Sequence, residues 1–226
     1  YCGDNGTPDG GIVTSPFRGK KGTMYGGGIR VPGIIEWPAA ISRPATSDVN
    51  TVTSDIFPTL CEIIGRPVSG QSDKAKPASR PIDGISLVPL IKGKMTRRSR
   101  PIGFWSFATG NMGRGKPWIE ARLQQGTTPL VKKLAGRFTR NFTNFHHPKI
   151  REQDFGGERV LLGNRYKLIA RSRRGNPDRI ELYDVRKDPS EKQDLTRSEP
   201  EVVRSMSKSL RAWQQSVLES LSGADY

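Results

Sequence analysis

The sequence has little cysteine and no long apolar run. Its two cysteines, Cys2 and Cys61, cannot build the framework of several disulfides that stabilises many small secreted domains. A membrane-spanning helix needs about 18 consecutive apolar residues, and the sequence contains no such run. Hydrophobic residues make up 34% of the 226 positions, which is low but adequate for the core of one domain or two small ones.

Positive charge is abundant and unevenly distributed. The formal net charge is +15, and residues 110–180 supply +11 of it from sixteen basic and five acidic side chains. Such a field attracts polyanions. The basic residues are dispersed, however, and no compact nucleic-acid motif interleaves them with aromatic residues. We therefore expect no nucleic-acid partner.

Residues 1–38 carry the clearest chemistry. Asp4 and Asn5 belong to an Asp-Asn-Gly turn, whose carboxylate and amide oxygens suit a hard cation such as calcium. Lys20 and Lys21 follow in a glycine-rich loop, from which an ammonium group could reach the same place and bind a tetrahedral anion. Each feature alone is commonplace, because Asp-Asn-Gly is most often only a turn and a loop lysine is usually solvated.

The order of these features resembles the central block of the sulfatase family. That block reads Ser-Asp-Asn-Gly, then Lys-Gly-Thr, then Glu-Gly-Gly-x-Arg-Val-Pro, and this sequence has GDNG at 3–6, KGT at 21–23 and GGGIRVP at 26–32. Gly3 and Gly26 stand where the family usually has serine and glutamate. Neither position is a metal ligand or a sulfate contact in the family pattern, so the two replacements concern local packing.

The resemblance implies hydrolysis of sulfate esters by an alkaline-phosphatase-like α/β domain. Asp4 and Asn5 match two calcium ligands, and Lys21 matches the catalytic lysine that binds the sulfate. The family's nucleophile is a formylglycine made from the cysteine of Cys-x-Pro-Ser-Arg, and neither Cys2 nor Cys61 lies in such a motif. We therefore interpret the sequence as a C-terminal piece of a longer sulfatase. We expect it to need an N-terminal half that completes the calcium site, and to be inactive alone.

The resemblance also implies a substrate class and a location. The expected substrate is a sulfated small molecule or a sulfated glycan, and the family favours the periplasm, secretion or the lysosome. Two alternatives stay open. A phosphoric ester hydrolase of the same superfamily would need metal-binding histidines near Asp4, and the sequence shows none there. A non-catalytic polyanion-binding protein would bind in a salt-dependent manner without needing Asp4 or Lys21.

The whole chain predicts two units. Residues 1–98 are expected to form the C-terminal part of the main α/β domain, and residues 99–226 a small α+β subdomain with an antiparallel sheet and a C-terminal helix. In the first unit we predict a buried strand at 31–38 and a helix at 54–65 capped by Ser54 or Asp55. In the second unit, the apolar patterns predict strands at 101–107, 160–162, 166–170 and 180–185, and a helix at 199–221.

Three further features of the second unit complete the sequence-based expectations. Ser198 and Glu201 have the spacing of a capping box at the start of the last helix. Residues 108–157 form a basic, glycine-rich insertion, and its charge suggests a role in selecting polyanionic substrates. The segment Asp188-Pro189-Ser190-Glu191 resembles a structural segment of the family, and we assign no chemistry to its carboxylates.

Overall fold

The computed structural model describes residues 1–8, 15–66, 68, 82–107, 122, 133–134, 137–138, 146–147, 149–172 and 178–224. The helices in this part of the chain are α1 (Gly26–Ile29), α2 (Ile56–Ile63), α3 (Val88–Ile91) and α4 (Pro200–Ser222). The strands are β1 (Ile102–Ser106), β2 (Lys133–Leu134), β3 (Arg137–Phe138), β4 (Glu158–Leu162), β5 (Tyr166–Arg171) and β6 (Arg179–Asp184). The four strands predicted for the second unit are confirmed as β1, β4, β5 and β6.

Four strands form one antiparallel sheet in the order β1-β4-β5-β6, and β2 pairs with β3 in a separate two-stranded sheet. β1 lies beside β4 although a long connection separates them in the sequence. Ser106, the last residue of β1, pairs with Glu158, the first residue of β4, so the connection begins and ends at neighbouring positions. The rings of Phe107 and His147 meet edge to face nearby, with their centroids 6.0 Å apart. The two ends of the connection are therefore held together.

Side chains alternate along each strand and so point to both faces of the sheet, and both faces are covered by other parts of the chain. One face packs against α4 through a cluster of Leu161, Leu168, Ala170, Leu182 and Leu210. The opposite face presents Val160, Ile169 and Tyr183, which pack with Met24 and Tyr25. The glycine-rich loop that precedes α1 thus lies directly on the sheet, on the face opposite α4.

The amphipathic helix predicted at the C-terminus is confirmed as α4. Leu210 and Leu218 are 3% and 0% exposed, and both lie on its inner side. Trp213 reaches over β1 because residue 103 is a glycine, where an added Cβ would lie 2.4 Å from the indole ring. The helix therefore approaches the sheet closely enough to exclude water from its inner side.

The capping box predicted for this helix is wrong. α4 begins at Pro200 with Glu199 as its N-cap, and no side chain caps it. The hydroxyl of Ser198 donates instead to the carbonyl oxygen of Leu195, at 3.3 Å. A proline sets the start of this helix because its ring fixes φ near the helical value and its missing N–H would have no partner in the first turn.

The helix predicted at 54–65 is confirmed by a 3-10 turn, Thr53–Asp55, that runs into α2. The helix ends before Gly65, whose φ of +72° is the left-handed conformation common after a helix. Neither Ser54 nor Asp55 makes a side-chain hydrogen bond that caps α2. The predicted cap is therefore wrong, and Asp55 has another role.

Asp55 is a buried ion-pair partner. Its carboxylate receives two hydrogen bonds from the guanidinium of Arg98, at 2.6 and 2.9 Å, and its side chain is fully buried. It also accepts the main-chain N–H groups of Val52 and Ile85, at 2.9 and 2.8 Å. The main chain of Arg98 exchanges two hydrogen bonds with the side chain of Asn164, in the turn between β4 and β5. This ion pair therefore connects α2 to the sheet.

The buried strand predicted at 31–38 is not formed. Its only ladder contact in the described part of the chain is an isolated bridge between Cys2 and Gly33, and Ile34 is 62% exposed. Ile35, the next residue, is also exposed, at 51%. No helix among the described residues is both long and apolar enough to cross a membrane.

Much of the basic insertion predicted at 108–157 lies outside the described residues. The predictions about its structure and its role in substrate selection therefore stay predictions. The division of the chain near residue 98 also remains a prediction.

Candidate active site

The segments that carry the predicted site meet through main-chain hydrogen bonds. The N–H of Thr7, two residues after Asn5, donates to the carbonyl oxygen of Gly27 at 2.7 Å. The N–H of Lys21 donates to the carbonyl oxygen of Thr7, also at 2.7 Å. The acid–amide turn, the lysine loop and α1 are therefore neighbours in space, although the sequence separates them.

Glycines allow these main chains to touch. A Cβ added at Gly6 would lie 2.1 Å from the carbonyl oxygen of Gly27, and one at Gly28 would lie 2.0 Å from the carbonyl oxygen of Thr23. Both distances are far below a normal van der Waals contact. Gly6 and Gly28 are thus required by two close main-chain crossings at α1, and a Cβ added at Gly27 would likewise lie 2.3 Å from the carbonyl oxygen of Gly19.

Lys21 lies at the tip of a tight turn. Thr23 closes this turn, because its N–H and its hydroxyl both donate to the carbonyl oxygen of Lys20, at 3.0 and 2.8 Å. Gly19 and Gly22 have φ angles of +80° and +86°, which glycine adopts without steric penalty. The Lys-Gly-Thr motif is therefore a turn whose threonine and glycine fix the main chain beneath the lysine.

The predicted site residues differ in exposure. Asp4 and Lys21 are exposed, and Asn5 is half-buried. Neither the Asp4 carboxylate nor the Lys21 ammonium has a hydrogen-bond or ion-pair partner among the described residues. Within the same residues, no group of three or more His, Cys, Asp or Glu side chains is placed to hold a metal. The oxygens of Asp4 and Asn5 fit a hard cation in type, and further oxygen ligands would be needed to complete its shell.

Glu191 supports this loop from the sheet. One carboxylate oxygen accepts the N–H of Gly26 at 2.6 Å, and the other lies 2.5 Å from the ammonium nitrogen of Lys167. Both side chains of this ion pair are almost completely buried, with 1% and 2% of their surface exposed. The main-chain carbonyl oxygen of Glu191 also accepts a hydrogen bond from Arg18, at 3.0 Å. Glu191 thus contacts the chain on both sides of Lys21.

A cluster of arginines and tyrosines surrounds this support. Arg18 donates to the hydroxyl of Tyr183 at 2.9 Å, and its guanidinium lies 3.9 Å from the ring centroid of Tyr25. The hydroxyls of Tyr25 and Tyr183 both donate to one oxygen of Glu181, at 2.8 and 2.9 Å. The other oxygen accepts a hydrogen bond from Arg171 at 2.8 Å. These contacts join the lysine loop to β5 and β6 by charged hydrogen bonds as well as by apolar packing.

The protonation states of this cluster follow from burial and from these hydrogen bonds. Burial raises the pKa of Tyr183, and the hydrogen bond to Glu181 raises it further. Burial alone would raise the pKa of Glu181, but hydrogen bonds from the two tyrosines and the charge of Arg171 bring it below its ordinary value. Burial lowers the pKa of Lys167, although Glu191 opposes this shift. At neutral pH the tyrosines are therefore neutral and the Glu181 carboxylate is charged.

Sequence reasoning did not identify Glu191 or Lys167 as part of this arrangement. One signal was available, since Lys167 interrupts the apolar run of β5 on the face that Ile169 shares. A lysine at such a position is rarely fully buried without a carboxylate partner. The identity of that partner depends on tertiary structure, because Glu191 lies after β6 in a turn.

The chain is similar to known sulfatases in sequence and in structure. Human steryl-sulfatase is 32% identical over 186 residues, which cover 81% of this chain and 27% of that protein. Human arylsulfatase D is 37% identical over 89 residues, which cover 39% of this chain and 14% of that protein. The solved structure of the Bacteroides thetaiotaomicron protein BT33336S-sulf has a TM-score of 0.52 at 20% identity, and covers 88% of this chain and 32% of that one. No protein-family model matches the chain.

The similarity in structure shows the fold of the chain, and the similarity in sequence shows its relatives. The chain shares its fold with the solved structure named above, and this fold is alkaline-phosphatase-like, as the resemblance implies. Within this class, the chain is a homologue of the sulfatases. It spans about a quarter of the length of human steryl-sulfatase, at 27%.

Proposed function

We propose that this chain is part of a sulfuric ester hydrolase in which Lys21 binds the sulfate group of the substrate. The hydrogen bond from the N–H of Lys21 to Thr7 carries this proposal, because it brings the lysine loop beside the turn of Asp4 and Asn5. The sequence similarity to human steryl-sulfatase and arylsulfatase D supports the same chemistry.

Hydrolysis of a sulfate ester breaks a bond between sulfur and the leaving oxygen. Negative charge then develops on that oxygen and on the peripheral sulfate oxygens. An ammonium group carried on a fixed main chain stabilises this charge with less reorganisation than one on a mobile loop, and hydrogen bonds fix the main chain of the Lys21 turn. Asp4 and Asn5 would hold calcium, which when bound polarises the sulfate as a Lewis acid.

The nucleophile is proposed to come from residues outside this sequence. Cys2 is exposed and Cys61 is partly buried, and neither lies in the Cys-x-Pro-Ser-Arg motif from which the family makes formylglycine. We therefore expect the 226-residue polypeptide alone to show no turnover. The remaining calcium ligands are expected from the same missing part of the site.

The proposed substrate is a sulfated small molecule or a sulfated glycan. Two of the relatives named above are a steryl-sulfatase and an arylsulfatase, and the Bacteroides protein belongs to a locus for the metabolism of multiple glycosaminoglycans. These names have the sulfate ester in common. They differ in the alcohol that carries the sulfate, which is a small molecule for the two human relatives and a glycan for the Bacteroides locus.

The test uses the complete protein that contains this chain, with a chromogenic aryl sulfate and the matching aryl phosphate as substrates. Lys21→Ala is expected to lower kcat/KM for the sulfate by about 10²- to 10³-fold, the size of losing one preorganised donor. Lys20→Ala is the matched control in the same turn, and it should retain most of the activity.

Two results would reject the proposal. Faster turnover of the phosphate than of the sulfate would support a phosphoric ester hydrolase of the same superfamily. Salt-dependent binding of polyanions without any turnover, unchanged by Lys21→Ala, would indicate a non-catalytic binding protein.

A further inference from the structure

Glu191 contacts both ends of the loop that carries Lys21. Its side chain accepts the N–H of Gly26 at 2.6 Å, and its main-chain carbonyl oxygen accepts a hydrogen bond from Arg18 at 3.0 Å. Residues 19–25 lie between these two contacts, with Lys21 at the tip of the turn. A single residue therefore closes the base of this loop.

Glu191 is itself held in a fixed and unfavourable conformation. Its φ of +52° lies in the left-handed region, which residues with a Cβ rarely adopt. The carbonyl oxygen of Asp188 accepts its N–H at 3.1 Å, and the carboxylate of Asp188 accepts the N–H of Lys192 at 2.7 Å, so the turn cannot relax easily. Such backbone strain persists where the surroundings enforce it, and it concentrates at functional sites.

The direction of the carboxylate distinguishes this pair from an ordinary buried ion pair. If Glu191 and Lys167 only stabilised the sheet, the Glu191 carboxylate would contact Lys167 and would make no contact with α1. Here the second carboxylate oxygen is directed to the N–H of Gly26, outside the sheet. Gly26 leaves room for this contact, since a Cβ there would lie 3.3 Å from the same oxygen.

We propose that Glu191 is a positioning residue for Lys21. It holds the two ends of the loop at Arg18 and Gly26, so that the turn presents the Lys21 ammonium to the sulfate group in one orientation. Glu191 does not touch the substrate and acts only through the loop. This inference rests on the proposed function of Lys21.

The test compares two variants that remove both buried charges at once. Replacing Glu191 alone would leave the Lys167 ammonium buried without a partner, which by itself disrupts folding. Lys167→Met combined with Glu191→Gln keeps a side-chain oxygen that can accept the N–H of Gly26. Lys167→Met combined with Glu191→Leu has no side-chain oxygen at residue 191 and cannot accept this hydrogen bond. Glu201→Gln, at an exposed position on α4, is the surface control and should leave activity unchanged.

Two measurements on the complete protein report on the loop independently. Hydrogen exchange of the Gly26 amide is expected to be faster in the leucine variant than in the glutamine variant. The leucine variant is also expected to have a lower kcat/KM for an aryl sulfate, by on the order of 10²-fold, because a small misplacement of a binding group has this effect. In a Lys21→Ala background this difference should disappear, since Glu191 acts through Lys21.

Equal exchange at Gly26 in the two variants would overturn the inference, as would an activity difference that persists in the Lys21→Ala background. If exchange differs but Lys21→Ala has no effect on turnover, the loop contact is supported and the proposed function of Lys21 fails. If the leucine variant does not fold, Arg18→Met removes the other contact. It should then show a loss of activity that is likewise absent in the Lys21→Ala background, and a persisting loss would again overturn the inference.

Discussion

The N–H of Lys21 and the carbonyl oxygen of Thr7 form a hydrogen bond of 2.7 Å. This bond joins the lysine turn to the chain two residues after Asn5. The main chain of the lysine turn is therefore tied to the segment that follows the acid–amide turn.

Asp4→Asn is expected to weaken calcium binding by the complete protein. Calcium affinity depends on the number of charged oxygen ligands, and this change removes one charge and keeps the shape. The expected loss is at least about tenfold, since even changes outside the first ligand shell reach this size. Titration calorimetry with calcium measures it, with the exposed Asp48→Asn as control. Equal dissociation constants for the two variants would contradict the assignment of Asp4.

Gly28→Ala is expected to destabilise the protein and to impair the lysine turn. The new Cβ would lie 2.0 Å from the carbonyl oxygen of Thr23 and 2.7 Å from that of Lys20, so the main chain must shift. Overpacking of this kind lowers the free energy of unfolding by about 1–3 kcal/mol. Urea unfolding measures it. Gly33→Ala is the control, because nothing lies within 4 Å of the added Cβ there, and a similar loss in both would argue against the crossing at Gly28.

Asp55→Asn is expected to lower the free energy of unfolding by about 3–5 kcal/mol, because it leaves the buried Arg98 guanidinium without its charged partner. Both side chains are at most 4% exposed. Denaturant titration followed by circular dichroism measures the change. The exposed pair of Glu201 and Arg204 provides the comparison, and Glu201→Gln should have little effect. A small effect of Asp55→Asn would show that this pair does not tie α2 to the sheet.

Tyr183 makes the stability of the protein fall at high pH. Its pKa is raised above the ordinary value of 10.0 by burial, so the folded protein keeps a proton that the unfolded chain releases. The stabilising contribution is complete below pH 10 and is lost as the pH rises above it, with a slope of up to about 1.4 kcal/mol per pH unit. Urea unfolding between about pH 9 and pH 11 should show a smaller slope for Tyr183→Phe than for the unsubstituted protein. Identical slopes would refute this role.

Local patterns predicted the second half of the fold. Short apolar segments bounded by turn residues identified β4, β5 and β6, and apolar spacings of three and four identified α4, because the helical period comes directly from helix geometry. The prediction at 31–38 failed for a related reason. An apolar run indicates that burial is favourable, but Ile34 remains exposed because too little of the described chain lies beside it.

The candidate site was only partly accessible from the sequence. The positions of Asp4, Asn5 and Lys21 came from the resemblance to sulfatases, and their roles remain predictions. The contact between Glu191 and Gly26 joins residues 165 positions apart, and no local rule predicts such a pair. Asp55 shows the same limit, because a residue that looked like a helix cap instead binds Arg98, 43 positions away.

The neighbouring positions of β1 and β4 have a consequence for how proteins of this architecture diverge. Ser106 and Glu158 are paired, and the rings of Phe107 and His147 meet beside them, so the chain leaves and re-enters the sheet at one place. Insertions, deletions or whole exchanged segments between these points leave the strand register untouched. The paired ends of β1 and β4 therefore define a natural junction at which a foreign segment can be grafted in place of residues 108–145.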